Sequence, residues 1–154
     1  MMLGYCFLSL IALNQKTNVF QPFLITFVAY SEIMKNKKTL VLGATTKPER
    51  YAFRAINMLT QKGHTVLAIG QKAGEVAGVK IYTKAIPVKN IDTVTLYLNP
   101  ARQRDYYNYI IEAQPKRVVF NPGTENPEFY QLLELNNIKV EVACTLVLLA
   151  TNQY

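Results

Sequence analysis

The stretch Gly43-Ala44-Thr45-Thr46-Lys47-Pro48-Glu49-Arg50 holds a glycine, two hydroxyls and two cations next to one another. That set suits an anion. Threonine hydroxyls donate hydrogen bonds, Lys47 and Arg50 carry positive charge, and a helix starting here adds free amide hydrogens. A phosphate is the natural occupant. The loop is not a dinucleotide-binding G-x-G-x-x-G loop, because the second and third glycines are missing. Nor is it a Walker A loop, because no G-K-S/T follows. The competing use of Thr45 and Thr46 is to cap the helix, with Pro48 in its first turn.

A second cue lies at Ile69-Gly70-Gln71-Lys72. An NAD-binding chain places a carboxylate near this point to hold the ribose hydroxyls. Here there is none, and Lys72 follows, which suits a phosphate on an adenosine ribose. A solvated surface lysine is the plain alternative. The loop and the lysine together favour a phosphorylated adenosine ligand other than NAD.

Groups for bond-making chemistry are few. His64 is the only histidine. It sits in "KGHTV", at the amino end of a strand and away from the expected ligand edge. Cys144 is a candidate thiol, or a small buried residue. Asp105 and Glu112 read as a solvated helix face, and Glu125 and Glu128 as carboxylates at a helix start. No catalytic set and no metal-ligand set is expected. The tyrosines of "RDYYNYI", with Arg102 and Arg104, suggest stacking on single-stranded nucleic acid. Helical spacing spreads them over more than one face, which argues against it.

These residues need a frame. "TLVLGA", "TVLAIG", "DTVTLYL", "RVVFNPG" and "IKVEVA" are apolar, β-rich runs of the kind buried on both faces of a parallel sheet. "VKIY" reads as a short edge strand. Between them, "ERYAFRAINMLTQKG", "ARQRDYYNYIIEAQ" and "NPEFYQLLELNN" carry helical spacing, with Asn126 as N-cap and Pro127 at the first helical position. "CTLVLLATNQY" reads as a terminal helix. Strands alternating with helices predict right-handed βαβ units: a Rossmann-like, doubly wound α/β fold, mainly parallel, of about five strands with helices on both faces. Ligands of such sheets sit beyond the carboxyl ends of the strands, at the switch in strand order. The loops "GATTKPER", "LNPAR" and "NPGTENPE" all leave strands at that edge.

Composition agrees with a packed domain. Hydrophobic residues make up 50% of the 154, enough for a core, and the net charge of +7 suits an anionic partner. Cys6 and Cys144, far apart, imply no disulfide framework, and a reducing, cytoplasmic setting is expected. The first 33 residues differ. Their apolar runs are shorter than the roughly twenty residues a membrane span needs. At Met34 a short basic lead enters the first strand. Residues 1–33 are therefore read as an extension outside the native domain, and residues 34–154 as that domain. A membrane anchor or docked hydrophobic arm is the alternative.

From about Lys38 onward the chain resembles the small single-domain CoA-binding proteins, which are similar to the CoA-binding domain of the succinyl-CoA synthetase α subunit. The segments that carry the resemblance are "VLGATTKPERYAFRAINML", "KGHTVLAIGQKAGEVAGVKIY", "IDTVTLYLNP", "VVFNPGTENPEFYQLLELNNIKV" and "ACTLVL". It implies coenzyme A as the cofactor, bound at the carboxyl edge. Gly43, Ala44, Thr45, Thr46, Lys47 and Arg50 would surround the phosphates. Gly70 and Lys72 would lie near the adenosine. Asn99 and Pro100, with Asn121, Pro122, Gly123, Thr124 and Asn126, would complete the crevice wall. Cys144 matches a cysteine often found after the last strand. Two positions depart from the pattern: Ile69-Gly70-Gln71 replaces Val-Asn-Pro, and Asn99 stands where arginine often precedes the proline. The resulting expectation is a CoA- or acyl-CoA-binding module, with a small-molecule partner, no nucleic acid, no membrane and a possible homo-oligomer. An NADP- or other nucleotide-dependent enzyme, or a single-stranded nucleic-acid-binding module, is the alternative.

Overall fold

The computed structural model describes residues 36–154. The expectations for residues 1–33 lie outside the described residues. Seven strands form one sheet: β1 (Thr39–Ala44), β2 (Val66–Gly70), β3 (Gly74–Val76), β4 (Val79–Tyr82), β5 (Thr93–Leu96), β6 (Arg117–Phe120) and β7 (Lys139–Val142). Their order is β3-β4-β2-β1-β5-β6-β7, and every pairing is parallel except β3 with β4. The helices are α1 (Tyr51–Gln61), α2 (Pro100–Gln103), α3 (Tyr107–Ala113), α4 (Pro127–Leu135) and α5 (Thr145–Ala150), with a 3-10 turn over Arg104–Tyr106. The α/β, mainly parallel, doubly wound reading therefore holds.

Period-two alternation divides the core. Leu40, Leu42, Val94, Leu96, Val118 and Phe120 face Ile110 of α3 and Phe129 and Leu133 of α4. Val41, Ala68 and Ile81 face Ile56 and Leu59 of α1 and Leu149 of α5. Most of these side chains are fully buried, and each such Leu, Ile or Phe contributes roughly 1.5–3 kcal/mol by leaving water. Helices thus cover both faces, which is why the strand sequences are continuous apolar runs.

Three expectations need correction. The sheet has seven strands where about five were expected. "VKIY" is not the edge, because the three-residue β3 folds back on it through a two-residue turn at Ala77 and Gly78, both at positive φ. Such turns favour Asn-Gly or Gly-Gly, and Ala77 hides this one. The helix read over "ARQRDYYNYIIEAQ" is broken in two. The tight turn at Arg104–Tyr106 rotates the chain so that Tyr106, Tyr107 and Tyr109 all pack against the core.

The amino edge of the sheet holds its own polar cluster. Thr39, Thr93, Arg117 and Lys139 share one register row. Tyr154 closes over it: its hydroxyl lies 2.7 Å from Thr39 Oγ1, and the Arg117 guanidinium carbon lies 4.7 Å from its ring centroid. His64 packs on the same ring, with centroids 5.1 Å apart. Its Nδ1 accepts a hydrogen bond from the Lys37 amide at 3.1 Å, so this nitrogen must be unprotonated. Burial, then the nearby Lys37 and Lys62 cations, hold the imidazole below its usual pKa.

A pH dependence follows. Below about pH 6.5 the unfolded chain binds a proton at His64 that the folded one refuses. The contribution of His64 to stability is therefore complete above that pH and is lost as the pH falls towards the lower, folded value. In urea titrations from about pH 7.5 to about pH 5.5, the wild type should lose more stability than His64→Gln. Equal losses would remove His64 from the account.

Candidate functional site

β1 is the central strand, with β2 on one side and β5 on the other, so the chain changes direction across the sheet there. The crevice between the carboxyl ends of β1 and β5 is the switch point of such a fold. Gly43 shapes it. Its φ is +91°, and a Cβ would sit 2.7 Å from the Tyr97 carbonyl oxygen and 3.1 Å from Leu98 Cδ2. Glycine allows the β1 backbone to turn there while lying against the exit of β5. The Tyr97 amide still donates to Leu42 O at 2.8 Å, so the two strands remain locked as they diverge.

The loop that follows is open. Thr45 is half-buried and residues 46–50 are exposed. Pro48 does not begin the helix: the Arg50 amide donates to Lys47 O at 3.1 Å, making Lys47–Arg50 a turn, and α1 starts at Tyr51. Arg50 is the N-cap residue, and no side chain caps the helix. Thr45 Oγ1 instead accepts from the Lys47 amide at 3.3 Å. The capping alternative for Thr45 and Thr46 is therefore set aside. The helix start keeps its amide hydrogens free of side-chain acceptors.

Close packing ties the loop to the exit of β2. A Cβ on Gly70 would fall on the Ala44 carbonyl oxygen, 2.9 Å from its carbon, and a Cβ on Gly74 would fall on the Thr46 methyl. Lys72 lies in the exposed bend between those two glycines. Among the described residues, Lys47, Arg50, Lys72 and Arg102 take part in no ion pair. This rim thus presents cations without carboxylate partners.

The opposite wall is built from buried amides. Asn121 Nδ2 donates to Thr95 Oγ1 at 2.8 Å and Leu96 O at 3.0 Å, while its Oδ1 accepts from the Thr145 amide at 2.8 Å. Asn126 caps α4 through Phe129 N, and its Nδ2 donates to Gln103 Oε1 and to the Tyr107 hydroxyl, both at 2.8 Å. Thr124 Oγ1 donates to Asn121 O at 2.8 Å. These three residues are buried and engaged. They hold the wall in place, and Pro122, Gly123, Asn99 and Pro100 form its exposed surface. Asn99 also caps α2, accepting from the Arg102 amide at 3.1 Å.

Sequence reasoning passed over the residue that joins these loops. Gln103 is fully buried and donates to Leu98 O at 2.9 Å and Thr124 O at 2.7 Å. It clamps the exit of β5 to the exit of β6. Its position, four residues after the Asn99 cap, was the only signal.

Other candidates fall elsewhere. His64 is at the amino edge, as expected. Cys144 is half-buried and is the N-cap residue of α5, just after β7. Tyr107 stacks on Phe129 with ring centroids 4.1 Å apart, and Tyr109 donates to Ile86 O at 2.8 Å. Those rings are committed to the core, which removes them as a platform for bases. Burial pushes the Tyr97 phenol up, so it stays protonated. No three His, Cys, Asp or Glu residues cluster as metal ligands among the described residues, and no helix among them is long and apolar enough to cross a membrane.

A family model described as a CoA binding domain matches residues 37–150. The chain belongs to this CoA-binding domain family. The matched span includes every loop of the rim. Solved structures share the fold. One, a crystal structure of an uncharacterized protein, is 46% identical with a TM-score of 0.75, over 77% of this chain and 98% of its own. A hypothetical protein from Pyrococcus horikoshii OT3 is 30% identical with a TM-score of 0.66, over 77% and 84%. A Thermus thermophilus protein at 22% identity and a TM-score of 0.68, over 82% and 96%, supports the fold alone. Among curated proteins none matches. Membership in the CoA-binding domain family supports coenzyme A as the class of ligand.

Proposed function

We propose that the chain binds coenzyme A, or an acyl-CoA, through its phosphates at the carboxyl edge of the sheet. The observation that carries this reading is the β1–α1 loop: exposed, uncapped, and bearing Lys47 and Arg50 without acidic partners. Free amide hydrogens at Tyr51 and Ala52, the Thr46 hydroxyl and the two cations form a cradle for a pyrophosphate. Gly43, Ala44 and Thr45 bring the backbone close to it. The adenosine lies towards Gly70 and Lys72, with the ribose phosphate on the lysine. Asn99, Pro100, Pro122 and Gly123 line the far wall, and Asn121, Thr124 and Asn126 keep that wall rigid. The chain acts as a binding module on this reading; turnover of any member of an acyl-CoA panel would replace it with an enzyme.

Calorimetry with coenzyme A, dephospho-CoA and NADP tests the ligand. Coenzyme A should bind most tightly, and NADP binding without CoA binding would overturn the assignment. The Lys72→Ala variant refines it. Affinity for coenzyme A should fall about fivefold, roughly the 1 kcal/mol of an exposed charged contact, with dephospho-CoA unaffected. A loss shared equally by both ligands would place the ribose phosphate elsewhere.

A further inference from the structure

The sheet ends on β7, which has no strand beyond it among the described residues. Pairing with β6 dictates which groups it turns outward. The Lys139 amide donates to Lys116 O at 3.2 Å and the Ala143 amide to Phe120 O at 3.1 Å. Alternation then points the N–H and C=O of Val140 and Val142 away from the sheet. An unpaired row of this kind is a template for another strand. Two large apolar side chains are exposed nearby: Val142 is 57% exposed, and Leu135, at the end of the α4 helix that packs on β7, is 79% exposed.

We infer that β7 is the docking edge for a second copy of this chain, paired antiparallel about a twofold axis through Val140. Two registers let the outward groups bond. Centred on Val140, the pairing sets Lys139 opposite the partner's Glu141, and by symmetry does so twice. Centred on Glu141, it sets the two Glu141 carboxylates against each other, which is repulsive. Charge selects the first register. It also places Val142 opposite the partner's Ile138, whose amide already donates to Leu133 O at 2.9 Å, so the Val142 amide gains an acceptor there while the Ile138 amide makes no new bond. The other edge of the sheet lacks this match: β3 reads Gly74-Glu75-Val76, and a twofold axis through its middle residue opposes Glu75 to itself. Glu141 already lies 3.0 Å from Arg117 and 3.7 Å from Lys139, so its carboxylate is held at the edge before any partner arrives.

Sedimentation equilibrium of the full chain, across a wide range of concentration and without ligand, tests the pairing. The wild type should dimerise reversibly. Lys139→Glu should weaken the dimer at least about tenfold, because both cross-strand pairs become repulsive. Mixing folded Lys139→Glu with folded Glu141→Lys should restore association, since each then meets its complement. Circular dichroism checks that each variant folds. Should Glu141→Lys fail because it loses Arg117, Val142→Pro serves instead. It removes an outward amide and no internal bond, and it should also weaken the dimer. A wild type that is monomeric at every concentration overturns the inference. So does a dimer indifferent to both Lys139→Glu and Val142→Pro, or a mixture of folded charge variants no tighter than either alone.

Discussion

Replacing Lys47 and Arg50 together by alanine should weaken coenzyme A binding about 50-fold while leaving thermal stability unchanged. Each side chain is expected to make a charge-assisted contact to phosphate worth roughly 1–1.5 kcal/mol net at an exposed site, and about 1.4 kcal/mol is tenfold in affinity. Neither side chain is needed for the fold. Both are exposed, neither forms an ion pair among the described residues, and the Arg50 turn and N-cap rest on backbone groups alone. Calorimetry and a melting curve read the two quantities separately. Wild-type affinity in the double variant would remove the phosphates from this loop. A large drop in melting temperature would mean that the side chains brace the fold. The loss should shrink as salt is raised, because part of it is screened Coulomb attraction.

The second large effect is on stability. Gly70→Ala should cost at least about 3 kcal/mol, read as a lower urea midpoint with little change in slope. The added methyl would land on the Ala44 carbonyl and meet Ile81 Cγ2 at 3.0 Å. The obstructing atoms are chiefly backbone of the central strand, so no side chain can swing aside to make room. Relief requires β1 and β2 to part where the register already shifts, between Leu42 and Ala44. The same movement would displace the start of the β1–α1 loop proposed to hold the phosphates, so affinity should fall with stability. A Gly70→Ala variant as stable as the wild type would contradict the close approach of the two strands.

Much of this was readable from residues alone, and the reason is physical. Strands covered on both faces must be apolar throughout, so β1, β2, β5 and β6 stood out as runs. Asn126-Pro127 announced the start of α4 because a cap and a fixed φ belong together there, and the structure has both. What stayed hidden depends on contacts between distant segments. Gln103 gains its meaning only when the exits of β5 and β6 meet. The asparagines of the 121–126 segment look like ligand donors in sequence, but Asn121 and Asn126 spend their hydrogen bonds on the framework. β3 was missed because three residues carry almost no periodicity, and its turn opens with alanine. Thr45 and Thr46 offered a cap that the Lys47–Arg50 turn moved out of reach.

The seat of Tyr154 has a practical consequence. The aromatic ring is held by Thr39, Arg117 and His64 at the end of the sheet opposite the proposed ligand crevice. Any peptide fused after it departs on that far side. Tethering the protein to a sensor surface through such a tail would aim the crevice at the flowing solution, and fusions placed there should leave ligand capture unobstructed.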